Sequence, residues 1–205
     1  MSTTSAPSRE SSDVARSRRD EILSIAAGQF AERGVASTTV RDIGAAAGIL
    51  SGSLYHHFES KEQMVAELLL PVMQRQVGHY RTIVAAHVPA AETLRSLITT
   101  AVAEAAKTPS ETRMIRNDAQ TFSSTPALRP VAELLVEAAK LWASAIDRGV
   151  AAGEFRSTGD ARLVVAAMFD AVLSTTRWFT GKQGQSPDRV GDALADLFLG
   201  GLLNV

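Results

Sequence analysis

Thr38-Thr39-Val40-Arg41-Asp42-Ile43-Gly44-Ala45-Ala46-Ala47-Gly48-Ile49-Leu50-Ser51-Gly52-Ser53-Leu54-Tyr55-His56-His57-Phe58 reads as two short helices broken by a glycine. Thr39 is a cap for the first, whose apolar positions Val40, Ile43, Ala46 and Ala47 are predicted to share one buried face. Gly48 ends it, because glycine enters the left-handed region without a Cβ clash, and Ile49 just beyond can drop into a core. In the second helix Leu54 and Phe58, four apart, form the buried side and leave Ser51, Ser53, Tyr55 and His56 pointing outward. So short a helix needs support from elsewhere in the chain. Its exposed hydroxyls, phenol and imidazole are groups that hydrogen-bond phosphates and base edges, so the pair is predicted to be a DNA-reading helix-turn-helix.

Upstream, residues 1–12 are Ser/Thr/Pro-rich and predicted to be a disordered tail, with a minor-groove arm as the alternative. Residues 13–33 place Ile22, Ile25, Ala26 and Phe30 on one helical face that Gly34 stops. Downstream, Ser60 is an N-cap with Gln63 three residues on, the spacing of a capping box. Lys61 then falls in the first turn, where the helix dipole disfavours a cation unless a phosphate lies nearby; a solvated lysine is the other reading. That helix runs toward His87 with a kink expected at Pro71. Further helices are predicted near 91–107, 110–122, 126–151, 159–180 and 187–202, separated at Pro109, Ser123-Ser124, Gly153 and Gly181 to Pro187. No stretch alternates with period two, so the fold class is all-α with about nine helices. The expected organisation is tail 1–12, helix-turn-helix domain 13–60, and regulatory and dimerisation domain 61–205.

The run from Thr39 to Lys61, with Ile43, Ala47-Gly48, Leu54-Tyr55, His57-Phe58 and Ser60-Lys61-Glu62, resembles the N-terminal domain of the tetracycline-repressor (TetR) family of transcriptional regulators. About ten positions agree in type and spacing. Gly44 stands where the family usually has alanine, at roughly 1 kcal/mol of helix propensity. Leu50 stands where it often has a capping serine, which leaves Ser51 as the next available cap. The resemblance implies a homodimer on palindromic double-stranded operator DNA, contacted by Thr39, Arg41, Ser51, Ser53, Tyr55, His56, His57 and Lys61. It further implies a repressor released by a small-molecule effector in the C-terminal domain. A helical small-molecule-binding or scaffold protein without DNA binding is the rival reading.

Composition sets bounds on both. The chain has 205 residues, a net charge of −1 and no cysteine. Disulfides, thiolate zinc sites and cysteine nucleophiles are therefore excluded. No apolar leader or membrane span is visible, so a cytoplasmic protein with no membrane partner is expected. Residues 1–61 hold seven Lys/Arg against seven Asp/Glu, so any DNA-facing charge must be local, from Arg9, Arg16, Arg18 and Arg19 near the start and from Arg41 and Lys61. There is no phosphate loop or nucleophile elbow, and His56 and His57 point about 100° apart on a helix. No enzyme, cofactor or metal site is predicted.

Two helices of the C-terminal part mix polar groups into apolar surfaces. On 159–180, Asp170, Ser174 and Arg177 share a face beside Met168, Phe169, Val172 and Trp178. On 110–122, Arg113, Arg116 and Gln120 accompany Phe122. With Trp142 these are candidate effector-binding residues; a salt-bridge network or a solvated face is the alternative. An indole beside a guanidinium suits a phosphate-bearing ligand, and a core tryptophan beside a surface arginine accounts for the same two residues. The stretch Gly48 to Phe58, the Asp118-Ala119-Gln120 run and the Arg177-Trp178 pair are similar to family members of actinobacteria that control lipid or steroid catabolism. That likeness implies an acyl- or steroid-CoA thioester as effector. Leu163, Val190, Leu194, Leu197, Phe198 and Leu202, with the small Gly191 and Ala195, are predicted to form a twofold dimer interface on the last two helices, or else to be the chain's own core.

Overall fold

In a computed structural model the described residues are 9–157, 159–179 and 186–203, with side chains from residue 18 onward. Among them are nine α-helices: α1 (Arg9–Arg33), α2 (Val40–Ala46), α3 (Ser51–Leu54), α4 (Lys61–Ala85), α5 (Ala90–Lys107), α6 (Pro109–Ser124), α7 (Arg129–Ala151), α8 (Ala161–Trp178) and α9 (Pro187–Leu202). The all-α expectation holds. The described residues form no strand; Phe155 and Leu203 meet in one isolated antiparallel bridge. Residues 9–12, expected within the disordered tail, are helical, and residues 1–8 lie outside the described part.

The first half of the core joins α1 to the helix-turn-helix: Ile22, Ala26 and Phe30 pack with Ile43, Ala47, Leu54 and Phe58. Gly34 and Gly48 sit at φ +84° and +66°, the left-handed conformations expected where each helix stops. Thr39 caps α2 by accepting from the Asp42 amide at 3.1 Å, and Asp42 accepts from the Thr39 amide at 2.9 Å. The buried face of α2 differs from expectation in one place. Ala46 is exposed and Gly44 is buried, because the stripe 40, 43, 44, 47 follows the helical period and residue 46 lies 100° off it. A Cβ on Gly44 would stand 3.1 Å from the Ile49 carbonyl oxygen and 3.4 Å from Leu54, so α3 crosses α2 where there is no side chain. The glycine that weakens the helix lets the pair close.

Helix α3 is shorter than expected. It ends at Leu54 and continues as a turn in which the Phe58 amide still donates to the Leu54 carbonyl at 2.9 Å. Leu50 occupies its N-cap position, without a side-chain cap, and Ser51 is already helical. Ser60 caps α4 by accepting from the Gln63 amide at 3.0 Å, but the Gln63 side chain accepts from Glu59 rather than closing the box onto Ser60. Helix α4 passes through Pro71 and carries the core from the reading head into the remaining helices via Met64, Leu69, Met73 and Tyr80. The segment expected to be one helix from 126 opens as a 3-10 turn, Pro126–Leu128, before α7. Helices α5 and α9 pack closely: a Cβ on Gly191 would stand 3.0 Å from the Thr99 Cα. Gly191, Ala195, Val190 and Leu202 are thus buried within the chain, which removes them from the predicted dimer surface, whereas Leu163 and Leu197 remain 71% and 70% exposed.

Candidate DNA interface and effector site

Helix α1 fastens the reading head through its arginines. Arg18 donates to the Ala47 carbonyl at the end of α2, at 2.7 Å. Arg19 stacks its guanidinium 4.4 Å from the centre of the Phe58 ring and donates to Glu67 at 2.6 Å. The bond to Glu67 raises the Arg19 pKa against the lowering effect of burial. These two arginines, expected to contribute to a positive DNA face, are partly buried and hydrogen-bonded to the scaffold; the side chains of Arg9 and Arg16 lie outside the described residues.

Of the eight predicted DNA-contacting residues, Arg41, Tyr55 and His56 are exposed, Tyr55 at 59%. Thr39 is exposed, with its hydroxyl donating to Asp42 as part of the cap. Ser51, Ser53 and His57 are partly exposed. Lys61 is partly buried and donates to the carbonyls of Val35 at 2.7 Å and Thr38 at 3.0 Å, so the α1–α2 loop accounts for a cation in the first turn of α4. Leu50 was not among the predicted contacts, yet at 81% it is the most exposed large apolar side chain described. Its signal in the sequence was an apolar residue at a position that normally holds a cap.

The predicted effector residues divide into three groups. Phe169 and Val172 line a cavity of about 40 Å³ bordered by α4 to α8, together with Met73, Gln76, Tyr80, Glu104 and Thr112. Gln76 donates to the Tyr80 hydroxyl at 2.7 Å, and burial pushes the Tyr80 pKa up. Phe169 also borders a larger open groove of about 790 Å³ between α7 and α8, so the one residue lines both cavity and groove. Phe122, Trp142 and Met168 do not line the cavity, contrary to prediction; each is fully buried in the core, with Trp142 edge-on between Tyr80 and Phe169 at 5.7 and 4.8 Å. Apolar periodicity marks a buried face without telling which buried residues border empty space.

The third group is charged. Arg113, on α6, donates to the Thr176 carbonyl of α8 at 3.1 Å. Burial lowers the Arg116 pKa, and so do the positive charges of Arg177 and Arg113, which places the three guanidiniums in one field. Among the described residues none of the three is in an ion pair. Gln120, Asp170 and Trp178 are exposed, Trp178 at 50%. The arrangement combines an apolar interior with an uncompensated cationic surface, which suits an amphiphilic anion.

A helix-turn-helix braced by α1 and α4, followed by a helical domain of this layout, defines a bacterial transcriptional regulator. The chain belongs to the TetR family: residues 22–68 match "Bacterial regulatory proteins, tetR family" and residues 87–202 match "Tetracyclin repressor-like, C-terminal domain". It is similar to the HTH-type transcriptional repressor KstR2 of Rhodococcus jostii, at 38% identity over 90% of this chain and 91% of that protein. KstR2 of Mycolicibacterium smegmatis is 37% identical, over 91% of each chain. The solved ketosteroid transcriptional regulator KstR2 of Mycobacterium tuberculosis superposes with a TM-score of 0.80 at 34% identity, covering 92% of this chain and 96% of that one. Among the described residues no helix is long and apolar enough to cross a membrane.

Proposed function

We propose that the protein is a cytoplasmic homodimeric repressor that binds a palindromic operator through Arg41, Tyr55 and the residues around them, and is released by an amphiphilic anion, an acyl- or steroid-CoA thioester. The observation that carries the effector class is the set of Arg113, Arg116 and Arg177, three cations in one field with no ion-pair partner among the described residues, on α6 and α8, helices that also supply Thr112, Ile115, Phe169 and Val172 to the apolar cavity. The KstR2 relatives, one of them described as a ketosteroid regulator, support the steroid branch of that class. A cavity of about 40 Å³ holds a water or two, far less than a ring system. The effector therefore enters by displacing Phe169 and joining the inner cavity to the α7–α8 groove. A ligand that opens this joint favours one state over the other, as a shift of equilibrium requires.

The test is a panel of CoA thioesters, free acids and neutral steroids scored for thermal stabilisation and for release of bound DNA. Arg177→Ala should lower thioester affinity by roughly tenfold or more, the loss of one charge-assisted contact, and leave DNA affinity unchanged. Stabilisation and release by neutral or cationic compounds alone would overturn the assignment.

A further inference from the structure

Helix α6 carries Arg113 and Arg116 and, two residues further on, Asp118. Residues two apart project about 200° apart on a helix, so Arg116 and Asp118 leave α6 on opposite sides. Asp118 is 5% exposed, and its Oδ1 accepts the backbone N–H of Val35 in the α1–α2 loop at 3.1 Å. The carboxylate lies against that loop closely enough that a Cβ on Gly34 would stand 3.5 Å from Oδ1. Val35 is held from its other side as well, its carbonyl accepting from Lys61 at the start of α4. The second oxygen, Oδ2, is buried and has no hydrogen-bond partner.

A buried carboxylate with an unpartnered oxygen is a poor way to add stability, since its desolvation is only partly offset by one amide and a neighbouring ammonium. Burial accordingly raises the Asp118 pKa, while the Val35 amide and the Lys61 charge act in the opposite direction. An apolar side chain would fill the space without that penalty. It would not grip the Val35 amide, whose direction fixes the loop leading into α2.

We propose that Asp118 is a positioning residue that locks the reading head to α6, so that its carboxylate–amide bond, added to the packing of α1 and α4, fixes the angle of α2 and α3 to the C-terminal helices. A shift or rotation of α6 then moves the head, because the bond joins a rigid helix to the segment between α1 and α2. The regulatory meaning rests on α6 being an effector-contacting helix; the lock itself does not.

The experiment needs neither effector nor DNA. The chain has no cysteine, so Ala45→Cys on α2 and Ser96→Cys on α5, both exposed, give a specific spin-label pair; dilution with unlabelled chain restricts the reading to one protomer. The unaltered lock gives one narrow distance distribution. Asp118→Ala should broaden it by roughly twofold or displace its maximum. Asp118→Asn, which retains Oδ1 as an acceptor, should restore the narrow distribution. Ile115→Val, a core change on the same helix, should lower stability and leave the distance unaltered. An unchanged distribution in Asp118→Ala overturns the proposal, and so does equal broadening in Ile115→Val. If Asp118→Ala fails to fold, amide exchange in the unsubstituted protein decides: the Val35 N–H should be protected by about a hundredfold or more, and exchange at the rate of an open loop overturns the lock.

Discussion

The ammonium of Lys61 lies 2.7 Å from the carbonyl oxygen of Val35, so the first side chain of α4 closes the loop that precedes the helix-turn-helix. Two roles meet in one residue. The bonds to Val35 and Thr38 fix the loop, and the positive charge stays beside the surface expected to face DNA. Lys61→Ala should weaken binding to all sequences alike and reduce the salt dependence of binding by about one ion. Tyr55→Ala should weaken it uniformly without changing that slope. Fluorescence anisotropy over a range of salt concentrations measures both.

Sequence preference is expected from Arg41 and Leu50. Arg41→Ala should relax selection at one base pair by about 1–3 kcal/mol. Leu50 projects an isobutyl group into solvent at the start of α3, a shape suited to the 5-methyl of thymine. Replacing thymine by uracil at the contacted position should weaken the parent protein and leave Leu50→Ser unaffected. Equal loss in both proteins would remove Leu50 from the reading surface.

Leu163 on α8 and Leu197 on α9 offer exposed apolar surface on the two helices predicted to dimerise. Leu163→Glu combined with Leu197→Glu should give a folded monomer, because a buried unpaired carboxylate opposes association. Sedimentation velocity at micromolar concentration reads the outcome, and a dimer that survives both charges places the interface elsewhere.

Glu104 lines the central cavity and bonds Arg75 at 3.1 Å and Lys107 at 2.9 Å. Burial alone would raise its pKa, but the bonds from Lys107 and Arg75 and their charges hold it below the ordinary 4.5. The stabilisation is therefore complete above pH 4.5 and disappears as pH falls through the lowered folded-state pKa. Glu104→Gln should destabilise the protein at pH 7 by about 1 kcal/mol, since both cations are partly exposed. The gap between the two proteins should close in acid, as followed by thermal melts.

The helix layout was legible because its punctuation is local: Gly34 and Gly48 in left-handed turns, and Thr39 and Ser60 as caps, each follow from neighbouring residues. What depended on distant partners was not. Nothing near Arg18 or Arg19 announces a partner at Ala47 or Glu67, so these two members of the basic cluster brace the scaffold in a way the sequence does not reveal. Gly191 read as a dimer contact because sequence spacing does not distinguish Thr99 of the same chain from a second copy. For the candidate effector site, the sequence shows that Arg113, Arg116 and Arg177 are available but not that they share one field. The cavity was not legible either, since Trp142 and Phe169 have the same apolar character and only Phe169 borders empty space.

The exposed residues of the helix-turn-helix are expected to read a twofold-symmetric operator. Selection from a random-sequence duplex library by the purified protein, at a stated salt concentration, tests this most directly. The parent protein should enrich an inverted repeat that the Arg41→Ala, Tyr55→Ala double variant does not enrich. Failure of the parent protein to enrich any sequence above that variant would contradict that reading.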